Sequence, residues 1–151
     1  MPAGRRYDAL LCYNHADRVW ARLIKERLRE YRLRLWIDED DLPPGRSWQE
    51  EVELQIENIG AAVVLIGPNG FGKWQLREIR ALLEEFTERN CPVIPALLPG
   101  AQISSLPTFL RSFNWVELRE MDSKEIERLV WGITGRKPEN PTKDGGDDDT
   151  R

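Results

Sequence analysis

Trp74 and Glu78 stand four residues apart in Lys73-Trp74-Gln75-Leu76-Arg77-Glu78, just after an apolar run and a glycine-rich loop. On a helix that spacing puts one side chain above the other on one face. The packing stripe of the same helix uses Leu76, Ile79, Leu83 and Phe86 at helical spacing. Trp74 and Glu78 are therefore turned partly away from it, toward the rim where strand ends meet loops. A flat aromatic beside a carboxylate, at the carboxyl end of a strand, suits a small polar ligand that contains a ring. Each residue also has a plainer role. A glutamate in the first turn is favoured by the helix dipole, and a tryptophan is more often packing than site.

The elements that must position this pair follow from the hydrophobic pattern. Residues 7–13 are nearly all apolar after Asp8, as a central strand covered on both faces requires. Asn14-His15-Ala16-Asp17 breaks the run, and Asp17 is placed to cap a helix that carries Trp20, Leu23, Ile24, Leu28 and Tyr31 on one side. Residues 33–37 form a second strand, followed by Asp38-Glu39-Asp40-Asp41-Leu42-Pro43-Pro44-Gly45, a loop. Ser47-Trp48-Gln49-Glu50 matches a capping box and opens a helix with Val52, Ile56 and Ile59 inward, ending near Gly60. Residues 61–66 are the third strand, and the helix carrying Trp74 and Glu78 runs to about Asn90. Residues 92–98 are the fourth strand, residues 106–113 a short helical piece, and residues 115–118 the fifth strand. Asp122 or Ser123 caps a last helix with Ile126, Leu129, Val130 and Ile133 inward. Residues 1–6 read as a flexible lead-in. Residues 136–151 contain no aliphatic side chain and read as a disordered tail or linker.

At 151 residues with 40% hydrophobic and 32% charged content, the chain is sized for one globular domain, residues 7–135. A net charge of -4 favours neither nucleic acid nor an acidic membrane as partner. No apolar run approaches the roughly 20 residues that span a bilayer, and the run behind Arg5 and Arg6 is too short for a signal peptide. Cys12 and Cys91 are too few for a disulfide scaffold or a zinc site and read as reduced, buried thiols of a cytoplasmic protein. With a single histidine, His15, no metal-ligand spacing is present, and no cofactor is expected.

Strands alternating with helices predict an α/β fold, a three-layer sandwich with a five-stranded parallel sheet and helices on both faces. The flavodoxin-like strand order 2-1-3-4-5 puts a switch point between strands one and three. Tyr13, Asn14 and His15, the Asp38 loop, and the segment leading to Trp74 and Glu78 then converge at one end of the sheet. His15 also reads as an ordinary loop or cap residue, and the acidic run 38–41 as a solvated turn. Clustered acids on this fold suggest a Mg2+-dependent phospho-acceptor domain. That chemistry needs an acid after strand three and a lysine after strand five, and the chain has Gly67-Pro68 and neither residue. The glycines at 67, 70 and 72 fit no phosphate-loop spacing and read as backbone room or a tight turn.

These residues resemble the Toll/interleukin-1 receptor (TIR) domain family. Tyr7-Asp8-Ala9-Leu10-Leu11-Cys12-Tyr13 is similar to its first box, Asp41-Leu42-Pro43-Pro44-Gly45 to the D-x-x-P-G of its BB loop, Phe113-Asn114-Trp115 to its third box, and Trp74-x-x-x-Glu78 to its W-x-x-x-E. Four motifs in the right order make the resemblance specific over about residues 6–135. The loop Gly67-Pro68-x-Gly70-x-Gly72-x-Trp74-Gln75 resembles the prokaryotic form. Cys12 departs from the serine of many members, a packing variation.

The resemblance implies one of two activities. Many prokaryotic and plant TIR domains, and one animal one, cleave NAD+ at the nicotinamide–ribose bond, with the glutamate at the position of Glu78 as the catalytic residue. Receptor and adaptor members are self-associating scaffolds. The enzymes work when self-associated, which makes Asp40, Asp41, Leu42, Pro43, Pro44 and Gly45 the partner-contacting BB loop. NAD+ is then a substrate, other TIR domains are partners, and the setting is immune or defence signalling within a larger protein. The chemistry fits the residue types. Bond cleavage leaves positive charge on the ribose, which a carboxylate ionised at neutral pH stabilises. Trp74 and Trp48 are stacking candidates, and Asp38 can hold the ribose or order its loop.

Overall fold

The computed structural model describes residues 7–37, 43–70 and 76–138, with the backbone alone for residues 48, 49 and 76–78. Two runs that are apolar at every position become the two central strands. These are β1 (Ala9–Cys12) and β3 (Ala62–Ile66), and every side chain in both is buried. A strand buried on both faces must be covered twice. Alternate residues accordingly enter two separate cores. Leu11, Val63 and Leu65 face α1 (Arg18–Arg29), whose Ala21, Ile24 and Leu28 are buried there, and the last helix, α4 (Ser123–Thr134). Leu10, Cys12, Val64 and Ile66 face α2 (Trp48–Gln55) and α3 (Leu76–Glu88), through Val52, Ile79, Leu83 and Phe86.

β2 (Leu35–Trp36), β4 (Val93–Leu97) and β5 (Val116–Glu117) complete a parallel sheet in the order β2-β1-β3-β4-β5. Leu10 stands in register with Trp36 on one side and Ala62 on the other. This is the expected flavodoxin-like α/β arrangement, and the two central strands diverge to helices on opposite faces.

Local departures from the sequence reading have identifiable causes. The edge strands are shorter than expected. At β2, Asp8 rather than a ladder partner takes the Arg34 N–H (2.8 Å). Residues 106–113 form no α-helix. They hold one 3-10 turn, Thr108–Leu110, and another at Ile103–Ser105 precedes them, because Pro107 drives Leu106 out of the helical region and is itself extended. The segment after α2 tightens into a 3-10 turn at Ile56–Asn58 before Ile59 becomes extended. Cys12 is buried as expected, but Cys91 is half-buried, since it sits in the turn after α3. Among the described residues, no helix is long and apolar enough to cross a membrane.

α4 is kept close to the sheet by Gly132. A methyl group at that position would meet Ile94 Cδ1 at 3.0 Å. Gly132→Val is expected to destabilise the fold by about 1–3 kcal/mol through overpacking. Urea denaturation of the variant against wild type checks this.

Candidate functional site

The site begins at the carboxyl ends of β1 and β3. Beyond β1 the chain makes a 3-10 turn, His15–Asp17, before α1. The turn is held by Asn14, whose Oδ1 accepts from the Ala16 N–H at 2.9 Å. The other end of the same side chain reaches the loop after β3. Asn14 Nδ2 donates to the carbonyls of Asn69 and Gly70, both at 3.2 Å. Beyond β3, residues 67–70 close a tight turn in which the Gly70 N–H donates to Gly67 O (3.2 Å). Gly70 has φ +71, the left-handed region that glycine enters without strain. One amide thus ties the loop after β1 to the loop after β3.

Asp17 was expected to cap α1. It occupies the cap position, but its side chain makes no capping bond. Asp17 is instead 4% exposed and packs against the backbone of Gly67. A methyl group at Gly67 would lie 2.5 Å from Asp17 Oδ2 and 2.7 Å from Oδ1, so glycine is the residue that fits. Oδ2 is buried and finds no hydrogen-bond donor among the described residues. Burial pushes the Asp17 carboxyl above the ordinary aspartate range.

The other expected site residues fall as follows. Tyr13 is buried in the core on the α1 side. Asn14 is 7% exposed, with both polar ends engaged by backbone. His15 is exposed, with Nε2 3.0 Å from Arg18 Nη1. Glu78 is the third residue of α3 as described, in the helix that follows β3. The side chains of Glu78 and Trp48 lie outside the described residues, as do Asp38, Asp40, Asp41, Leu42 and Trp74.

Pro43, Pro44 and Gly45 form an exposed turn in which the Arg46 N–H donates to Pro43 O (3.2 Å) and Gly45 has φ +86. The turn is anchored from behind. Arg46 Nη1 lies 3.3 Å from Glu51 Oε1, a carboxylate largely buried on α2. Ser47 Oγ accepts from the Glu50 N–H (3.1 Å), as the capping-box pattern predicts. A cavity of about 510 Å³, lined by Cys91, Phe113, Asn114, Arg128 and Trp131 among others, opens at the amino ends of β4 and β5. It lies at the opposite end of the sheet from the carboxyl ends of β1 and β3, where ligands of open α/β sheets ordinarily bind.

The TIR domain family model matches residues 10–130. The chain belongs to the TIR domain family. A curated relative is the NAD(+) hydrolase TcpA of a Theionarchaea archaeon, 27% identical over 97 residues, which are 63% of this chain and 30% of that protein. A metazoan TIR-STING receptor from C. gigas, solved with 2',3'-cGAMP, superposes with a TM-score of 0.74 at 23% identity over 89% of this chain and 41% of the receptor. The TIR domain of the Toll-related receptor TRR-2 from Hydra magnipapillata gives a TM-score of 0.64 at 22% identity, over 84% of this chain and 98% of that one. The structural likenesses show the fold. This TIR chain spans less than a third of the archaeal hydrolase and about two fifths of the TIR-STING receptor.

Sequence reasoning named Asn14 but missed its partners, and it put Asp17 at the cap position without finding its contact with Gly67. The available signal was an Asn-x-x-Asp step after a buried strand, combined with a glycine directly after the neighbouring strand. The burial of Asp17 carries a pH signature. A carboxyl whose folded pKa is raised destabilises the fold when ionised. Its contribution is most favourable below the unfolded pKa of about 3.9 and is lost as pH rises through the folded value. Asp17→Asn is therefore expected to gain stability over wild type at pH 7, on the order of 1 kcal/mol. The gain should shrink toward pH 4. Thermal unfolding of both proteins across pH 4–8 tests this, and a pH-independent difference would contradict it.

Proposed function

We propose that this TIR domain cleaves the nicotinamide–ribose bond of NAD+ when it is self-associated, with Glu78 as the catalytic carboxylate, in cytoplasmic defence signalling as part of a larger protein. The observation that carries the reading is the place of Glu78. It lies at the start of the described part of α3, next after β3, beside the β1/β3 switch point of a TIR domain. The curated relative named as an NAD(+) hydrolase supports the same chemistry.

In this reading the C–N bond breaks with both electrons going to nicotinamide, which leaves neutral. The positive charge that develops on the ribose is stabilised by the Glu78 carboxylate. Water attack at the same carbon, with loss of a proton, gives ADP-ribose. Attack by an adenine nitrogen of the same molecule gives a cyclic product. Trp74 and Trp48 would stack on the flat parts of the substrate, Asp38 would hold ribose hydroxyls, and His15 would line the rim. The reaction as drawn requires no cofactor or metal. The exposed Pro43-Pro44-Gly45 turn, fastened by Arg46 and Glu51, would contact a neighbouring TIR domain.

The exposed turn serves equally in a TIR scaffold that acts by homotypic contact alone, and turnover separates the two. Nicotinamide release at high protein concentration with a crowding agent is expected from wild type and is expected to fall at least 100-fold in Glu78→Ala, with the fold intact by circular dichroism. Self-associated wild type without turnover would favour the scaffold.

Pro44→His is expected to weaken self-association at least 10-fold by analytical ultracentrifugation. Turnover should fall with it at limiting concentration.

A further inference from the structure

Asn14 and Asp17 stand beyond the carboxyl end of β1, against the loop after β3, yet neither side chain is open to a ligand. Asn14 is 7% exposed, and its amide bonds the carbonyls of Asn69 and Gly70. Asp17 is 4% exposed and presses on the backbone of Gly67. Both come from the β1–α1 connection, and both hold the β3–α3 connection. The described part of the helix that carries Glu78 begins six residues after Gly70.

The arrangement is costly. A buried acceptor with no donor among the described residues, Asp17 Oδ2, opposes folding. Groups held against their local preference in this way concentrate at functional sites. Packing alone does not require them here, because apolar residues would cover the end of β1 without an unpaired oxygen.

We propose that Asn14, Asp17 and Gly67 form a clamp across the switch point, and that Asn14 and Asp17 are positioning residues. They fix the loop after β3 and thereby set where the first turn of α3 presents Glu78. The inference rests on the NAD+-cleaving reading and deepens it. It moves Asn14 from substrate contact to loop support and gives Asp17 a role that helix capping does not.

The two ends of Asn14 can be separated by substitution. Asn14→Asp keeps an acceptor for the Ala16 N–H and removes both donors to the loop. Gly67→Ala instead drives a methyl group against the Asp17 carboxylate, a clash that Asp17→Ala relieves. Misplacing a catalytic group by about 1 Å can cost on the order of 100-fold in rate. Asn14→Asp and Gly67→Ala are therefore each expected to lower kcat about 10- to 100-fold, with KM within about twofold of wild type and cooperative unfolding retained. In the Asp17→Ala background, adding Gly67→Ala should change kcat by less than about threefold. A merely structural clamp would change thermal stability and leave the kcat of the folded protein alone.

Wild-type kcat in both single variants would overturn the proposal, as would equal losses from Gly67→Ala with and without Asp17. If Asn14→Asp does not fold, Asn14→Ser, which is too short to reach the loop, takes its place. Amide exchange over residues 67–70 is measured in parallel and does not depend on turnover. Wild type that self-associates without cleaving NAD+ would refute the catalytic reading, and exchange would then judge the clamp. Exchange at least 10-fold faster in Asn14→Asp supports it, and unchanged exchange refutes it.

Discussion

The parallel pairing of β1 with both β2 and β3 is the constraint on which the rest of the molecule depends. β1 has no edge and no exposed face, so each neighbouring connection must cross over one side of the sheet or the other. The chain leaves β1 toward α1 on one face and leaves β3 toward α3 on the opposite face. Between those divergent exits a gap must open at the carboxyl end. Such a crevice is a general consequence of this strand order.

A gap of that kind exposes the backbone of two loops, and backbone polar groups must be paired. Asn14 meets part of this need with a single side chain, bonding one N–H on its own side and two carbonyls across the gap. Gly67 lets the two walls approach until Asp17 lies against bare backbone. These contacts join the local turn chemistry to the global topology. A similar arrangement recurs at the exposed Pro-Pro-Gly turn, where Arg46 and the largely buried Glu51 anchor a segment that otherwise faces solvent. In both places a polar side chain from a covered element restrains a loop at the rim of the sheet.

The fold was legible because burial on both faces leaves an unbroken apolar run, and amphipathic helices leave a 3.6-residue period. Residues 9–12 and 62–66 are such runs, and α1, α3 and α4 show the period in Ile24 and Leu28, in Ile79, Leu83 and Phe86, and in Ile126, Leu129 and Ile133. The short edge strands and the 3-10 turns around Pro107 were less legible. Their extent depends on which backbone groups find partners, as where Asp8 takes the N–H of Arg34.

By itself, then, the sequence determined the α/β class, the strand order and the TIR family, because those follow from local periodicity and from motifs in fixed order. Only the tertiary structure decided what Asn14 and Asp17 do. Each is 50 or more residues from its partner in the β3 loop, so the pairing is set by strand order and not by local sequence. Asp17 reads locally as a helix cap. Its Oδ2 is instead buried without a donor among the described residues, because parallel pairing brings Gly67 over it, a contact set by the packing of strands distant in sequence.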